Sequence, residues 1–222
     1  LNVSEDAAVA AKVKGYKDRL SKELDIKIGT TSTELDSRKK TVRYGEATIG
    51  NLIADAMREG VGADIGFANG GGIRANKIYE PGTSLTRGDI LTELPFGNVV
   101  VKLGLTGAQI WEALENGVSQ VENGAGRFPQ VSGMSFVWNP KAKAGARIVS
   151  AKIGGQPLDK GRSYTVATNN YAAGGGDGYK DFKKGKVLID ASGATLLASM
   201  VMDYIKAKGT VSPKIEGRIV AQ

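Results

Sequence analysis

The 222-residue sequence contains neither histidine nor cysteine. Without imidazole there is no histidine base, no Ser-His or Cys-His nucleophile pair and no imidazole metal ligand. Without a thiol there is no disulfide, no thiolate nucleophile and no thiolate zinc site. Chemistry performed here is confined to carboxylates, Arg, Lys, Tyr, hydroxyls and backbone amides, or is supplied by another chain or domain. No run reaches the roughly 18 uncharged apolar residues that a membrane span needs, and the nearest stretch, residues 191–202, is amphipathic. No signal-peptide pattern is visible and residue 1 is Leu. The sequence therefore reads as a processed or excised piece, whose targeting cannot be taken from its start.

Hydrophobic residues at 41% and charged residues at 24% are ordinary for a globular protein. The length allows one large domain or two small ones. Lys and Arg number 30 against 23 Asp and Glu, a net charge of +7. The surplus is dispersed: residues 1–45 hold ten basic and seven acidic side chains, and residues 181–222 hold seven and four. A nucleic-acid surface concentrates its charge in a stripe with aromatic platforms. The dispersed pattern points instead to a solvated basic surface or a small anionic ligand, with no nucleic-acid partner. The 31 glycines are about twice the ordinary usage of roughly 7%. They cluster at Gly70-Gly71-Gly72 and Gly174-Gly175-Gly176, which marks two shaped loops.

Periodicity predicts a helix over 4–24, capped by Ser4, with Val9, Val13, Tyr16 and Leu20 at helical spacing. Residues 29–40 read as a polar exposed loop. Ile49, Leu52, Ile53, Ala56 and Met57 form a helical stripe ended by Gly60 and Gly62. Strands are expected at 64–68, 99–105, 134–138, 147–153, 162–171 and 217–222. The 147–153 strand should alternate Ile148, Ser150 and Lys152 against Val149, Ala151 and Ile153. Thr106 with Gln109 forms a capping box before a helix burying Ile110, Leu114, Val118 and Val121. Ser192 is expected to cap the last helix. Helices and strands mix without strict βαβ alternation, so the expected class is α+β with a mixed sheet and flanking helices.

Three loop constellations carry chemistry. Asn69-Gly-Gly-Gly-Ile-Arg74 follows a strand. Its glycines allow close backbone approach or an anion nest, and Arg74 offers a planar fork to phosphate or carboxylate. The plain alternative is a tight turn with a surface Arg. Leu94-Pro95-Phe96-Gly97-Asn98 places an aromatic on a turn, tucked into the core or displayed as a stacking face. Asn170-Tyr171-Ala-Ala-Gly-Gly-Gly-Asp177-Gly178-Tyr179 delivers an aromatic and then a carboxylate between glycines. That carboxylate suits a vicinal diol, a cation, or an Asx turn on its own backbone. Two aromatics, an Asn, an Arg and an Asp are the parts of a nucleoside site: rings for a base, Asp for ribose hydroxyls, Arg for an anionic tail.

These loops, together with Gly50-Asn51-Leu52-Ile53-Ala54-Asp55-Ala56 and Glu216-Gly217-Arg218-Ile219, closely resemble the C-terminal domain of the 5'-nucleotidase/UDP-sugar hydrolase family. The resemblance covers about residues 26–222, with residues 1–25 as an inter-domain connector helix. It implies a division of labour. An N-terminal metallophosphoesterase domain, outside this sequence, holds two divalent metals and a catalytic His, and the C-terminal domain holds the nucleoside end of the substrate. A domain rotation brings the two together. This chain itself would then carry no catalytic residue and no cofactor. The resemblance implies Phe96 and Tyr171 as base-stacking rings and Asp177 as ribose ligand. It implies Asn69 and Asn98 as polar contacts, and Arg74 as a phosphate- or ribose-side cation. Three departures stand out: Tyr171 where Phe is usual, a third glycine at Gly174, and Gly45 where an Arg is common, with Arg43 the nearest substitute. Family habit implies the periplasm or the cell exterior. A stand-alone nucleotide-binding module without catalysis is the alternative.

Overall fold

The computed structural model describes residues 6–222, and a five-stranded sheet organises them. Its strands lie in the order Lys186–Ile189, Val100–Thr106, Ser163–Asn169, Ile65–Asn69 and Pro129–Ser132. The Ser163–Asn169 and Ile65–Asn69 strands run parallel, and the other pairings are antiparallel. Alternation divides the core. Ile65 and Phe67 point to one hydrophobic cluster with Leu103, Leu105, Tyr164 and Val166, under the helix Gly107–Val118. Ala68, Val100 and Ala167 point to a second cluster, with the helices Thr48–Gly60 and Leu197–Lys208. Small residues on that face let the helix approach closely. A Cβ on Gly66 would stand 2.1 Å from the Ala54 carbonyl oxygen, so only glycine fits there.

The helix Thr48–Gly60 follows the predicted stripe: Ile49, Leu52, Ile53, Ala56 and Met57 are all buried. Fully burying each of the larger side chains contributes about 1.5–3 kcal/mol. The capping box at Thr106 and Gln109 is formed as expected. A second capping box, Thr86 with Asp89, starts the helix Arg87–Glu93. A second, four-stranded sheet has the order Gln156–Pro157, Ile148–Ile153, Met134–Trp138 and Ile219–Ala221. Arg218 ties its last strand to the helix Thr48–Gly60 through two hydrogen bonds to Asp55, at 2.7 and 3.0 Å.

Several expectations are corrected. Residues 29–40 are not an exposed loop. The strand Lys27–Thr31 pairs with Thr210–Val211 and Ser84–Thr86, and Leu35, Asp36 and Ser37 are buried. Polar residues are tolerated there because they satisfy one another: Asp36 accepts from Arg38 Nε and Nη2 and from Thr41 Oγ1 at 2.7–2.9 Å. The strand 147–153 does not alternate simply. A register shift at Val137/Trp138 leaves Ile148, Ala151 and Ile153 buried and Val149 exposed. Ser192 caps no helix. It turns back to Asp190, and the last helix starts at Leu197 after the extended Leu196. Ser163–Asn169 ends before Tyr171, which sits in the helical turn Asn170–Ala173.

The first helix spans Ala7–Leu24, and the Asp6 carboxylate accepts from the Ala8 and Val9 amides. The expected cap Ser4 lies outside the described residues, as does the side chain of Leu20. Val9, Val13 and Tyr16 are exposed. The end of this helix rests on the helix Arg87–Glu93, where Arg87 donates to Glu23 at 3.0 Å.

Candidate functional site

The parallel strands Ile65–Asn69 and Ser163–Asn169 end side by side, and each ends in Asn. In sheets with parallel strands, crevices beyond the carboxyl ends are the usual ligand sites. Here the two Asn side chains begin a directed chain of hydrogen bonds. The Ala172 amide donates to Asn169 Oδ1 at 2.8 Å, and Asn169 Nδ2 donates to Asn69 Oδ1 at 2.9 Å. Asn69 Nδ2 then donates to Asp177 Oδ2 at 2.7 Å. Tyr171 donates its hydroxyl to the other carboxylate oxygen of Asp177 at 3.0 Å and accepts the Asp177 amide at 3.2 Å. Burial, then the Asp177 carboxylate, pushes the Tyr171 phenol up. Asp177 is thus held by a donor on each oxygen, leaving further lone pairs for a ligand.

The glycines act by permitting approach. A Cβ on Gly176 would stand about 2.5 Å from the Tyr171 ring, so the ring lies directly on Gly176. In the first loop, the Gly70 and Gly71 amides donate to the Phe128 and Gly126 carbonyls, both at 2.7 Å. The expected anion nest is therefore corrected for these two amides. They bind the loop to the 126–128 segment, and a Cβ on Gly70 would strike the Val42 carbonyl oxygen at 2.1 Å.

Arg74 follows this loop. Its guanidinium carbon lies 5.5 Å from the Phe96 ring centroid, within cation–π range. Buried Glu93 fixes the backbone there: its carbonyl accepts the Arg74 amide at 2.9 Å and its Oε2 accepts the Ala75 amide at 3.1 Å. Burial pushes the Glu93 carboxyl up. Phe96, on its turn before Gly97, is displayed rather than tucked away, 57% exposed, and Tyr171 is 48% exposed. Arg43 donates to the Gly124 carbonyl at 3.1 Å, and its buried Nε has no protein partner. Burial, and then the nearby Arg74 charge, lowers its pKa.

All seven residues singled out from sequence, Arg43, Asn69, Arg74, Phe96, Asn98, Tyr171 and Asp177, line one cleft of about 500 Å³, with Gly71, Gly72 and Gly126. Gly126 was missed. Asn169, which orients Asn69, was missed too, although its place at the end of the strand before the second glycine loop was a usable signal. The arrangement offers stacking rings, a fixed carboxylate and two cations, so it can hold a ligand with a flat ring, hydroxyls and an anionic group. Among the described residues no three carboxylates gather to hold a metal. The cleft is lined by one carboxylate, Asp177, and by no His or Cys, so its donor set does not fit a two-metal centre. Among the described residues no helix is long and apolar enough to cross a membrane.

The family model described as "5'-nucleotidase, C-terminal domain" matches residues 27–184. The trifunctional nucleotide phosphoesterase protein YfkN of Bacillus subtilis is 40% identical over 214 residues, covering 92% of this chain and 14% of that protein. A snake venom 5'-nucleotidase from Gloydius brevicauda is 34% identical over 239 residues, covering 99% of this chain and 40% of that one. Among solved structures, a 5'-nucleotidase precursor from Thermus thermophilus superposes with a TM-score of 0.87 at 36% identity, covering 99% of this chain and 44% of that chain. The chain thus spans less than half the length of these relatives. The match over residues 27–184 and the relatives at 40% and 34% identity show that the chain belongs to the 5'-nucleotidase family and corresponds to its C-terminal domain.

Proposed function

We propose that this domain binds the nucleoside end of a nucleotide for a phosphohydrolase that cleaves phosphate esters. The observation that carries the reading is the convergence of segments from residues 43 to 177 on one cleft with two displayed aromatic rings. Phe96 and Tyr171 enclose the base, where stacking is worth about 1–3 kcal/mol. Asp177 accepts the ribose hydroxyls, Asn98 meets a polar edge, and Arg43 and Arg74 face the anionic end. Asn69 acts mainly by orienting Asp177, because its amide oxygen and one amide hydrogen are already engaged.

Hydrolysis belongs to a metal-bearing N-terminal domain beyond this sequence, and no bond-breaking step falls to the residues described here. The helix Ala7–Leu24 serves as the connector to that domain. Two of the relatives come from bacteria, which supports a bacterial parent protein, and one is a snake venom protein, which supports work outside the cell or in the periplasm.

Isothermal titration of the 222-residue chain with adenosine, AMP and UDP-glucose tests the reading. Saturable binding is expected, weakened by Phe96→Ala, Tyr171→Ala and Asp177→Ala, with negligible phosphatase turnover in added Mn²⁺ or Zn²⁺. Binding of none of the three ligands, or robust metal-dependent turnover by the chain alone, refutes it.

A further inference from the structure

Asp177 and Asn76 are the non-glycine residues with positive φ among those described, at +52° and +56°. Such a conformation persists only where the surroundings over-determine it. The surroundings of Asp177 include a group that lines no part of the cleft. Asn116, in the last turn of the helix Gly107–Val118, donates from Nδ2 to the Asp177 carbonyl at 3.2 Å. Its Oδ1 accepts from Arg127 Nη1 at 3.2 Å. The same Nη1 donates to Ser119 Oγ at 3.1 Å, and the Ser119 hydroxyl donates to the Asn116 carbonyl at 2.6 Å. These bonds close a ring. The Arg127 cation can pair only with the amide oxygen, so the Asn116 amide nitrogen is left facing Asp177. The fit is close on this side as well: a Cβ on Gly178 would stand 2.7 Å from Asn116 Oδ1.

We propose that Asn116, oriented by Arg127, is a positioning residue that holds the Asp177 backbone left-handed and so sets a preference for a vicinal diol over a deoxygenated sugar. The inference rests on the reading of Asp177 as the diol ligand. The physical argument is directional. Asn69 and Tyr171 each occupy one carboxylate oxygen, and the remaining lone pairs suit two adjacent hydroxyls only while the carboxylate keeps this aim. Releasing the carbonyl lets the backbone leave the left-handed region and turns the carboxylate away from both donors.

The test is isothermal titration of the chain and its variants with adenosine and with 2',3'-dideoxyadenosine, each variant first checked for a cooperative melt. The unaltered chain should bind adenosine about tenfold or more tightly than the dideoxy compound. Asn116→Ala should lose most of that ratio while leaving dideoxyadenosine affinity within about twofold, and Arg127→Met should lose part of it. If Asn116→Ala does not fold, Arg127→Met decides the matter alone. A retained ratio overturns the positioning role. Equal weakening of both ligands also overturns it, since that is what a merely structural residue gives. An unaltered chain that binds both ligands equally refutes the diol role of Asp177, and the inference falls with it. Failure to bind either ligand instead refutes the nucleoside reading of the cleft and, with it, the inference.

Discussion

Replacing Phe96 by Ala separates binding from folding, because this large aromatic is displayed rather than packed. Phe96 is 57% exposed and belongs to neither hydrophobic cluster. Its one described ring contact is the Arg74 guanidinium, an exposed cation–π pair worth about 0.5–1 kcal/mol. At roughly 2–4 °C per kcal/mol for a protein of this size, truncation should lower the melting temperature by about 4 °C at most. Binding should respond very differently. Loss of one stacking face removes about 1–3 kcal/mol, or roughly 5- to 140-fold in the dissociation constant. The assay is a melt and an adenosine titration on the same preparation. A fall of about 10 °C or more would place Phe96 in the core, and unchanged affinity would remove it from the ligand site. Either result refutes the reasoning.

Three further outcomes are expected. Gly176→Ala should drive the Tyr171 ring off its seat, since the new Cβ meets ring atoms at about 2.5 Å; adenosine affinity should then fall as it does in Tyr171→Ala, with a near-normal melt. Arg218→Met leaves the half-buried Asp55 carboxylate with only the Ser132 hydroxyl; losing charge-assisted hydrogen bonds at such a site costs about 1.5–3 kcal/mol, so the melting temperature should drop by roughly 3–12 °C, and a change under about 2 °C would show that the pair is dispensable. Asp36 is held down from 3.8 to about 2 by Arg38 hydrogen bonding. A depressed carboxyl stabilises the fold above its unfolded pKa and loses that effect as pH falls through its folded value. Asp36→Asn should therefore flatten acid unfolding between about pH 4 and pH 2, with an unchanged acid limb counting against the pairing.

Local patterns in the sequence were enough for the elements whose burial follows from their own period. Ile49 to Met57 and Ile110 to Val118 announce their helices by spacing, and Thr106 with Gln109 marks a start that depends only on near neighbours in the chain. The site was legible in its parts because glycine runs, displayed aromatics and a carboxylate are local signals, and the family resemblance assembled them. What stayed hidden depends on partners far along the chain. Residues 29–40 look like solvent-exposed loop until Thr210–Val211 and Ser84–Thr86 flank their first part. Nothing near Gly70 reveals that its amide meets the carbonyl of Phe128, and nothing near Asp177 reveals Asn116.

The side-by-side ends of Ile65–Asn69 and Ser163–Asn169 have a consequence for how the protein is made. Their pairing joins residues about a hundred positions apart, and contacts of that separation are late and slow to form. Because Asn69, Asn169 and Asp177 acquire their geometry only through that junction, a partly folded chain has two glycine loops but no cleft. Ligand occupancy therefore counts completed molecules, and a ligand that binds only the native state will also shield them from proteolysis and raise their apparent stability as its concentration rises.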